Sequence, residues 1–465
     1  MDVSNNTHTT SVHDNQAFST ELHGIDYIPE TSRNATLREV MFGWFGANVI
    51  FTYVVLGAIV GSLGMPLWAS LAAVAVGNVF YLLLGLTSIP GPRAGTGSLT
   101  ISRASFGLRA NLLPASLSWM TTVGWTAVNL VIGTLSLTAL SDDIGFGAGN
   151  GITVVALVAV TLATVSISLL GHATILAVNK VLAYLLGIGT AVLAVFVLTN
   201  SGGNAPAVAD GWGLGEWLIA VAIIGAAPMS YVNTGADYSR YLPTNVSAGK
   251  VTAYTSLGAC VPAIGIAMIG VLAAHSADMA DPLAGLGDIV PRWFFIVYLA
   301  IVVGGTITNN FLNTYSSGMS LLAMGVRWSR TNATALGIAV AVALTCYVVF
   351  YQDFSESLIA FLSLMVIWSS PWCGVFLADM FLRRADYDAL ALHSRSGGPY
   401  EYRRGLNPVA MIWFLIGIVA SAAFATSSIF TGSLTGLVDG GDLSIPVGVL
   451  VAALGYYFHT RLARR

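Results

Sequence analysis

Apolar runs recur along nearly the whole chain, each closed by a short polar stretch. A helix needs about 20 apolar residues to cross a ~30 Å hydrocarbon core, and these runs meet that length. They are too long for barrel strands, and in lipid every backbone polar group must be satisfied within the segment. The pattern therefore predicts an all-α integral membrane protein of twelve transmembrane helices. They fall over 40–62, 66–89, 112–139, 151–170, 173–198, 214–236, 249–273, 293–322, 332–351, 355–379, 408–427 and 443–459. Residues 1–39 are polar without an apolar signal-like core, and are expected to form a flexible cytoplasmic tail.

Lysine and arginine positions orient these helices. With the N-terminus in the cytoplasm, the inner segments and inner helix ends hold all of the 19 Lys and Arg except Arg292 and Lys180. Lys180 lies within the fifth span, nearer that side, where snorkelling or a depressed pKa would accommodate it. The outer loops carry aspartates such as Asp142, Asp143, Asp278 and Asp442. Both termini are thus expected inside, in a multi-pass protein of the cell membrane.

Composition agrees: 55% of the 465 residues are hydrophobic and 9% are charged. A net charge of −3 offers no nucleic-acid footprint. Cys260, Cys346 and Cys373 sit inside apolar runs with no metal or redox spacing. The seven histidines lie outside the spans or at their ends, so no catalytic set appears at membrane depth. The glycine-rich stretch 90–107 lacks a Gly-Lys-Ser/Thr ending and is expected to form a cytoplasmic turn with a short amphipathic helix. A channel or membrane enzyme finds no support, and no cofactor or metal is implied.

The informative residues are polar ones that lipid should exclude. The first span reads Phe42-Gly-Trp-Phe-Gly-Ala-Asn48, and the sixth reads Gly225-Ala-Ala-Pro-Met-Ser-Tyr-Val-Asn233. Glycine and proline weaken both helices, and interrupted helices at matching places in two halves point to a transporter site. Spans 40–198 and 199–379 then form two five-helix repeats of opposite topology. Residues 380–407 form a linker, and 408–465 supply two more helices and the C-terminal tail. Ordinary packing through small residues is the alternative. In the third span, Trp125 and Asn129 share a helix face, which suits a planar heteroaromatic ligand. The eighth holds Thr306, Thr308, Asn309, Asn310 and Asn313.

These residues carry a likeness. Ser102-Arg-Ala-Ser-Phe-Gly107, Gly124-Trp-Thr-Ala-Val-Asn129, Ala236-Asp-Tyr-Ser-Arg-Tyr-Leu-Pro243 and Asn309-Asn-Phe-Leu-Asn-Thr-Tyr-Ser316 resemble the nucleobase–cation symporter family, in its purine–cytosine permease branch. The resemblance implies a leucine-transporter-type fold with a central site between spans 1, 3, 6 and 8. It implies that Trp125 stacks on a base and that Asn129 and Asn313 read its edge. Gly46, Asn48, Ser230, Tyr231 and Asn309 would complete the site. The expected solute is a base of the cytosine, adenine, guanine or hypoxanthine class. A same-fold carrier of allantoin, hydantoin, uracil, a B6-type pyridine or an amino acid is the alternative. Sodium-coupled relatives use two adjacent hydroxyls in span eight with carbonyls of span one, here Trp44, Ala47 and Thr308. Thr308 has Ile307 beside it, so half the oxygen pair is missing and a proton is favoured over sodium, with Lys180, Glu39 and Asp237 as possible participants.

Overall fold

The computed structural model describes residues 27–169, 172–200, 209, 211–279, 281–324, 328–394 and 398–463, without the side chains of 167–180, 312, 315, 319, 323 and 330. In chain order the helices begin with α1 (Leu37–Asn48), α2 (Thr52–Gly61), α3 (Leu67–Asn78) and α4 (Tyr81–Thr87). Three short turns follow, α5 (Gly91–Ala94), α6 (Ser98–Ile101) and α7 (Arg103–Phe106), then α8 (Leu112–Asp143), α9 (Asn150–Leu169) and α10 (His172–Asn200). The second half holds α11 (Leu214–Tyr231), α12 (Gly235–Ser239), α13 (Ala248–Ala274), α14 (Pro282–Ile289) and α15 (Arg292–Ala323). It closes with α16 (Arg330–Tyr351), α17 (Phe354–Arg383), α18 (Ala389–His393), α19 (Pro408–Ala423) and α20 (Ser444–Ala463).

Every predicted span falls on a helical segment. Among the described residues, 8 helices are long and apolar enough to cross a membrane, or 9 if the bent α1–α2 pair is one span. The other predicted spans fall on α9, α19 and α20.

The first span breaks as expected. Its start is fixed by a capping box, with Thr36 Oγ accepting from Glu39 N at 3.2 Å and Glu39 Oε2 accepting from Thr36 N at 2.7 Å. At Val49 the chain leaves helical geometry, and α2 resumes at an angle of 59°. The sixth span behaves differently. Pro228 lies inside α11, and the helix gives way only after Tyr231, to a 3₁₀ turn over Val232–Thr234 that leads into α12.

The glycine-rich stretch 90–107 folds into α5–α7 rather than one amphipathic helix. Its fit against Ala236–Pro243 explains much of that motif. Ser98 Oγ accepts from Ala236 N at 2.8 Å, and Asp237 Oδ1 accepts from Ser98 N at 2.9 Å. Ser239 Oγ donates to Ser88 O at 2.6 Å, and a Cβ at Gly91 would lie 2.1 Å from that hydroxyl. A second anchor is Asp379 on α17, which accepts from Ser105 Oγ, Arg383 Nε and Tyr456 OH at 3.0, 2.9 and 2.9 Å. One carboxylate thus joins the 98–107 turns, the end of α17 and α20.

Residues 27–36, expected as tail, pack on the body of the protein. Ile28 N donates to Gly95 O at 2.9 Å and Ala35 N to Tyr241 O at 3.0 Å, while Arg33 is buried and donates to Ile28 O and Pro92 O. At the other end of the bundle, buried Asp442 accepts from Thr426 N and Ser444 N at 2.9 and 2.8 Å, and burial pushes its carboxyl above the ordinary value.

Candidate functional site

One stripe of α8 organises the centre of the molecule. Ser118, Thr121, Trp125 and Asn129 recur at spacings of three or four, so their side chains share a face. Each meets a different element. Ser118 Oγ accepts from Asn233 Nδ2 of the 3₁₀ turn at 2.8 Å. Thr121 Oγ1 accepts from Trp368 Nε1 of α17 at 3.2 Å. Trp125 stands edge-on to Phe361 of α17, with ring centroids 5.5 Å apart and planes at 86°. Asn129 crosses to α15.

There the three predicted amides meet. Asn129 Nδ2 donates to its own helix at Trp125 O, 3.1 Å, and to Asn309 Oδ1, 3.0 Å. Asn313 Nδ2 reaches the same Asn309 oxygen at 3.5 Å. Asn310, on the adjacent face of α15, donates to Thr126 O at 3.2 Å and belongs to the helix–helix seam. Such bonding stabilises paired helices where water is absent. Trp125 Nε1 is buried and has no hydrogen-bond partner among the described residues. An indole donor and three carboxamides within one patch suit a flat polar heterocycle.

The other expected residues are placed differently. Trp44 is buried against Tyr231 at 5.4 Å and Tyr238 at 4.7 Å between ring centroids. Ser230 donates back to Ala227 O at 2.6 Å. Ala47 is buried, and a Cβ on Gly46 would find Ala183 of α10 nearest, at 4.0 Å. Thr308 donates to Gly304 O and Gly305 O of its own helix, at 3.2 and 3.0 Å. The Lys180 side chain lies outside the described residues.

Asn48 is fully buried at the break between α1 and α2. Its Nδ2 donates to Trp44 O at 2.8 Å, and its Oδ1 takes the hydroxyls of Tyr53 and Tyr81, each at 2.5 Å. The two hydroxyls also touch each other. This cluster ties the hinge to α4. Replacing Asn48 with leucine would leave the two phenol hydroxyls only each other, so that one of them has no acceptor, at about 1–3 kcal/mol for a buried group left unpaired. Asn48→Leu is expected to melt at lower temperature than Tyr81→Phe, which removes a donor and an acceptor demand together. Equal melting of the two variants in a thermal scan would show that Asn48 does not organise the cluster.

Sequence reasoning missed Phe361, Tyr53 and Tyr81, and had Tyr238 only as part of the Ala236–Pro243 motif. Phe361 occupies the space a side chain on Gly124 would need, since a Cβ there would lie 2.2 Å from its ring. Nothing in its apolar run distinguishes it. Tyr53 and Tyr81 had a readable signal, a hydroxyl within an apolar run that must find a partner.

The family of permeases for cytosine/purines, uracil, thiamine and allantoin matches residues 27–448. The chain belongs to this family. It is a permease and not an enzyme. YxlA of Bacillus subtilis strain 168, provisionally named a purine-cytosine permease, is 26% identical over 454 residues, covering 94% of this chain and 95% of its own. The purine-cytosine permease fcyB of Emericella nidulans is 23% identical over 478 residues, covering 94% and 87%. Mhp1, a nucleobase-cation-symport-1 family transporter, superposes in a closed, bromovinylhydantoin-bound form with a TM-score of 0.75 at 18% identity, covering 94% of this chain and 95% of Mhp1. Its inward-facing form gives 0.78 at 17% identity, covering 97% and 95%. The permease therefore has the helical fold of a multi-pass membrane transporter.

Proposed function

We propose that this permease is a secondary active importer that carries a purine or pyrimidine base, or a heterocycle of that shape, inward together with a cation. The observation that carries the reading is the patch on α8 and α15, where Trp125 stands one helical turn from Asn129 and Asn129 bonds across to Asn309. In this reading Trp125 stacks on the ring and the amides of Asn129, Asn309 and Asn313 meet its edge. The scaffold is twelve spans with both termini cytoplasmic, spans 1–5 and 6–10 forming inverted repeats. The broken first span and the 3₁₀ turn of the sixth support that division, because helix breaks line solute paths in such repeats.

Net uptake requires a cation that binds one orientation of the site better than the other. A proton is favoured over sodium, because Thr308 has Ile307 and no second hydroxyl beside it. Purified protein in proteoliposomes should accumulate a labelled base several-fold faster with the outside acidified, and an inward sodium gradient alone should leave the rate unchanged. Sodium-driven accumulation without a proton effect would overturn the choice of ion. Absence of saturable uptake for cytosine, adenine, guanine, hypoxanthine and uracil would overturn the choice of cargo.

A second reading keeps the scaffold and changes the cargo. The family description reaches uracil, thiamine and allantoin, and Mhp1 has been seen with a hydantoin. These share planarity and ring nitrogen with bases, and an indole beside amides accepts them on the same terms.

A further inference from the structure

Away from the solute patch, α19 and α20 leave a groove between them on the outside of the bundle. It encloses about 780 Å³ and is lined by Trp413 of α19 and by Val451, Leu454, Gly455, Phe458 and His459 of α20. That volume lies within the ~300–1,000 Å³ of clefts that hold small ligands. The indole of Trp413 rests on the α20 backbone because residue 455 is glycine, and a Cβ there would lie 2.0 Å from the ring. Leu454 and Phe458 are more than half exposed, at 52% and 56%, and form an apolar wall with nothing of the described chain over it.

One end of the groove is polar, and its hydrogen-bonding sense is fixed. An indole N–H can only donate. Trp413 Nε1 meets His459 Nδ1 at 3.2 Å, so Nδ1 accepts and the neutral ring carries its proton on Nε2. A tryptophan of an interfacial aromatic belt turns its N–H toward the headgroups. Here that donor is spent inside the groove, and the exposed imidazole offers Nε2–H in its place. Leu454, Phe458 and Arg461 recur at i, i+4 and i+7, so Arg461 continues the apolar wall at this end. Tyr457 holds its guanidinium, with Nη1 donating to the phenol oxygen at 2.8 Å and Cζ lying 5.8 Å from the ring centroid. The start of α19 is at the same end, since Asn407 Nδ2 donates to Tyr456 OH at 3.4 Å. Over 400–408 and 456–463 the charged residues are Glu401, Arg403, Arg404 and Arg461, three cations to one carboxylate.

We propose that the α19–α20 groove binds an anionic phospholipid, with an acyl chain along Trp413, Leu454 and Phe458 and the phosphate at His459 Nε2–H and Arg461. Within a bilayer the apolar contact is alike for every lipid, so the headgroup decides, and a basic pocket between spans ranks headgroups by charge. In the orientation proposed above the site lies in the cytoplasmic leaflet. It bears on the transport fold through α17, where a Cβ on Gly374 would lie 2.3 Å from Val449 O of α20. A lipid that braces α19 on α20 therefore supports the helix whose Phe361 stands against Trp125.

The test is lipid binding to the purified full-length protein, read by native mass spectrometry with phosphatidylglycerol and phosphatidylcholine of the same chains. Phosphatidylglycerol should bind about tenfold more tightly, because choline sets a further positive charge among the guanidinium groups. Arg461→Gln should bring the two lipids to within about threefold of each other. His459→Phe should weaken both, since it removes a donor to the phosphate they share, and Leu454→Trp should weaken both by filling the groove. Equal binding of the two lipids by the wild-type protein would overturn the assignment, as would an unchanged ratio in Arg461→Gln. Unchanged affinities in Leu454→Trp would move the lipid away from this groove. Inorganic phosphate raising the melting temperature as much as phosphatidylglycerol would reduce the site to an anion contact. A dimer that Leu454→Trp dissolves would show a second copy of the chain on this face, and either result rejects the lipid.

Discussion

Trp125→Ala is expected to weaken base binding by about 5- to 150-fold, the range set by ~1–3 kcal/mol for one base stacked on one aromatic ring. The indole is the largest flat surface on the α8 stripe, and Phe361 holds it edge-on at 5.5 Å. Truncation removes the ring and the unpartnered Nε1 together. It also loosens Phe361, so some loss of thermal stability accompanies it. Two measurements separate the effects. Trp125→Phe keeps a ring and should recover part of the affinity, and the apo protein's melting temperature reports packing without solute. Asn313→Ala should likewise weaken saturable uptake at normal membrane abundance, for loss of an edge contact in place of a face contact. Unchanged apparent affinity in Trp125→Ala and Asn313→Ala would remove this patch from consideration as the site.

The largest expected effect on assembly lies elsewhere, where α2 crosses α13. A Cβ on Gly57 would sit 1.9 Å from Ala267 O, and one on Gly270 would sit 2.1 Å from Val54 O. The two glycines let the helix backbones touch, which is how helices gain packing energy in lipid without a hydrophobic drive. Gly57→Val must push α2, the second half of the first span, away from α13, at about 3 kcal/mol or more for overpacking against main chain that cannot turn aside. Detergent-solubilised Gly57→Val should lose most of its monodisperse peak in size-exclusion chromatography. Gly265→Ala is the control, since it lies on the same α13 and a Cβ there meets nothing within 4 Å. A monodisperse, transporting Gly57→Val would mean that the close crossing is dispensable.

The two results would bear on different links. The first tests what the α8 stripe does to a solute, and the second tests what holds the broken first span in place. Asn48 stands between them. The resemblance placed it among contact residues, whereas here its amide is taken up by Trp44 O, Tyr53 and Tyr81. Its effect on transport would pass through the hinge.

What the sequence determined by itself is the material of the spans and the identity of the polar residues within them. Hydrocarbon admits only helices, so run length alone put a helical segment at each predicted position, and a buried amide in lipid is conspicuous because its desolvation is costly. Trp125, Asn129, Asn309 and Asn313 were legible for that reason, and their spacing placed them on shared faces. Tertiary structure decided which amide meets which, that Phe361 backs the indole, that Asn48 serves the hinge, and that residues 27–36 pack against the body. Those depend on how helices distant in sequence cross. In lipid, crossings are set by small-residue contacts such as Gly57 with Ala267 and by a few hydrogen bonds between side chains. Neither leaves a period along the chain, because each partner is chosen by shape across the bundle.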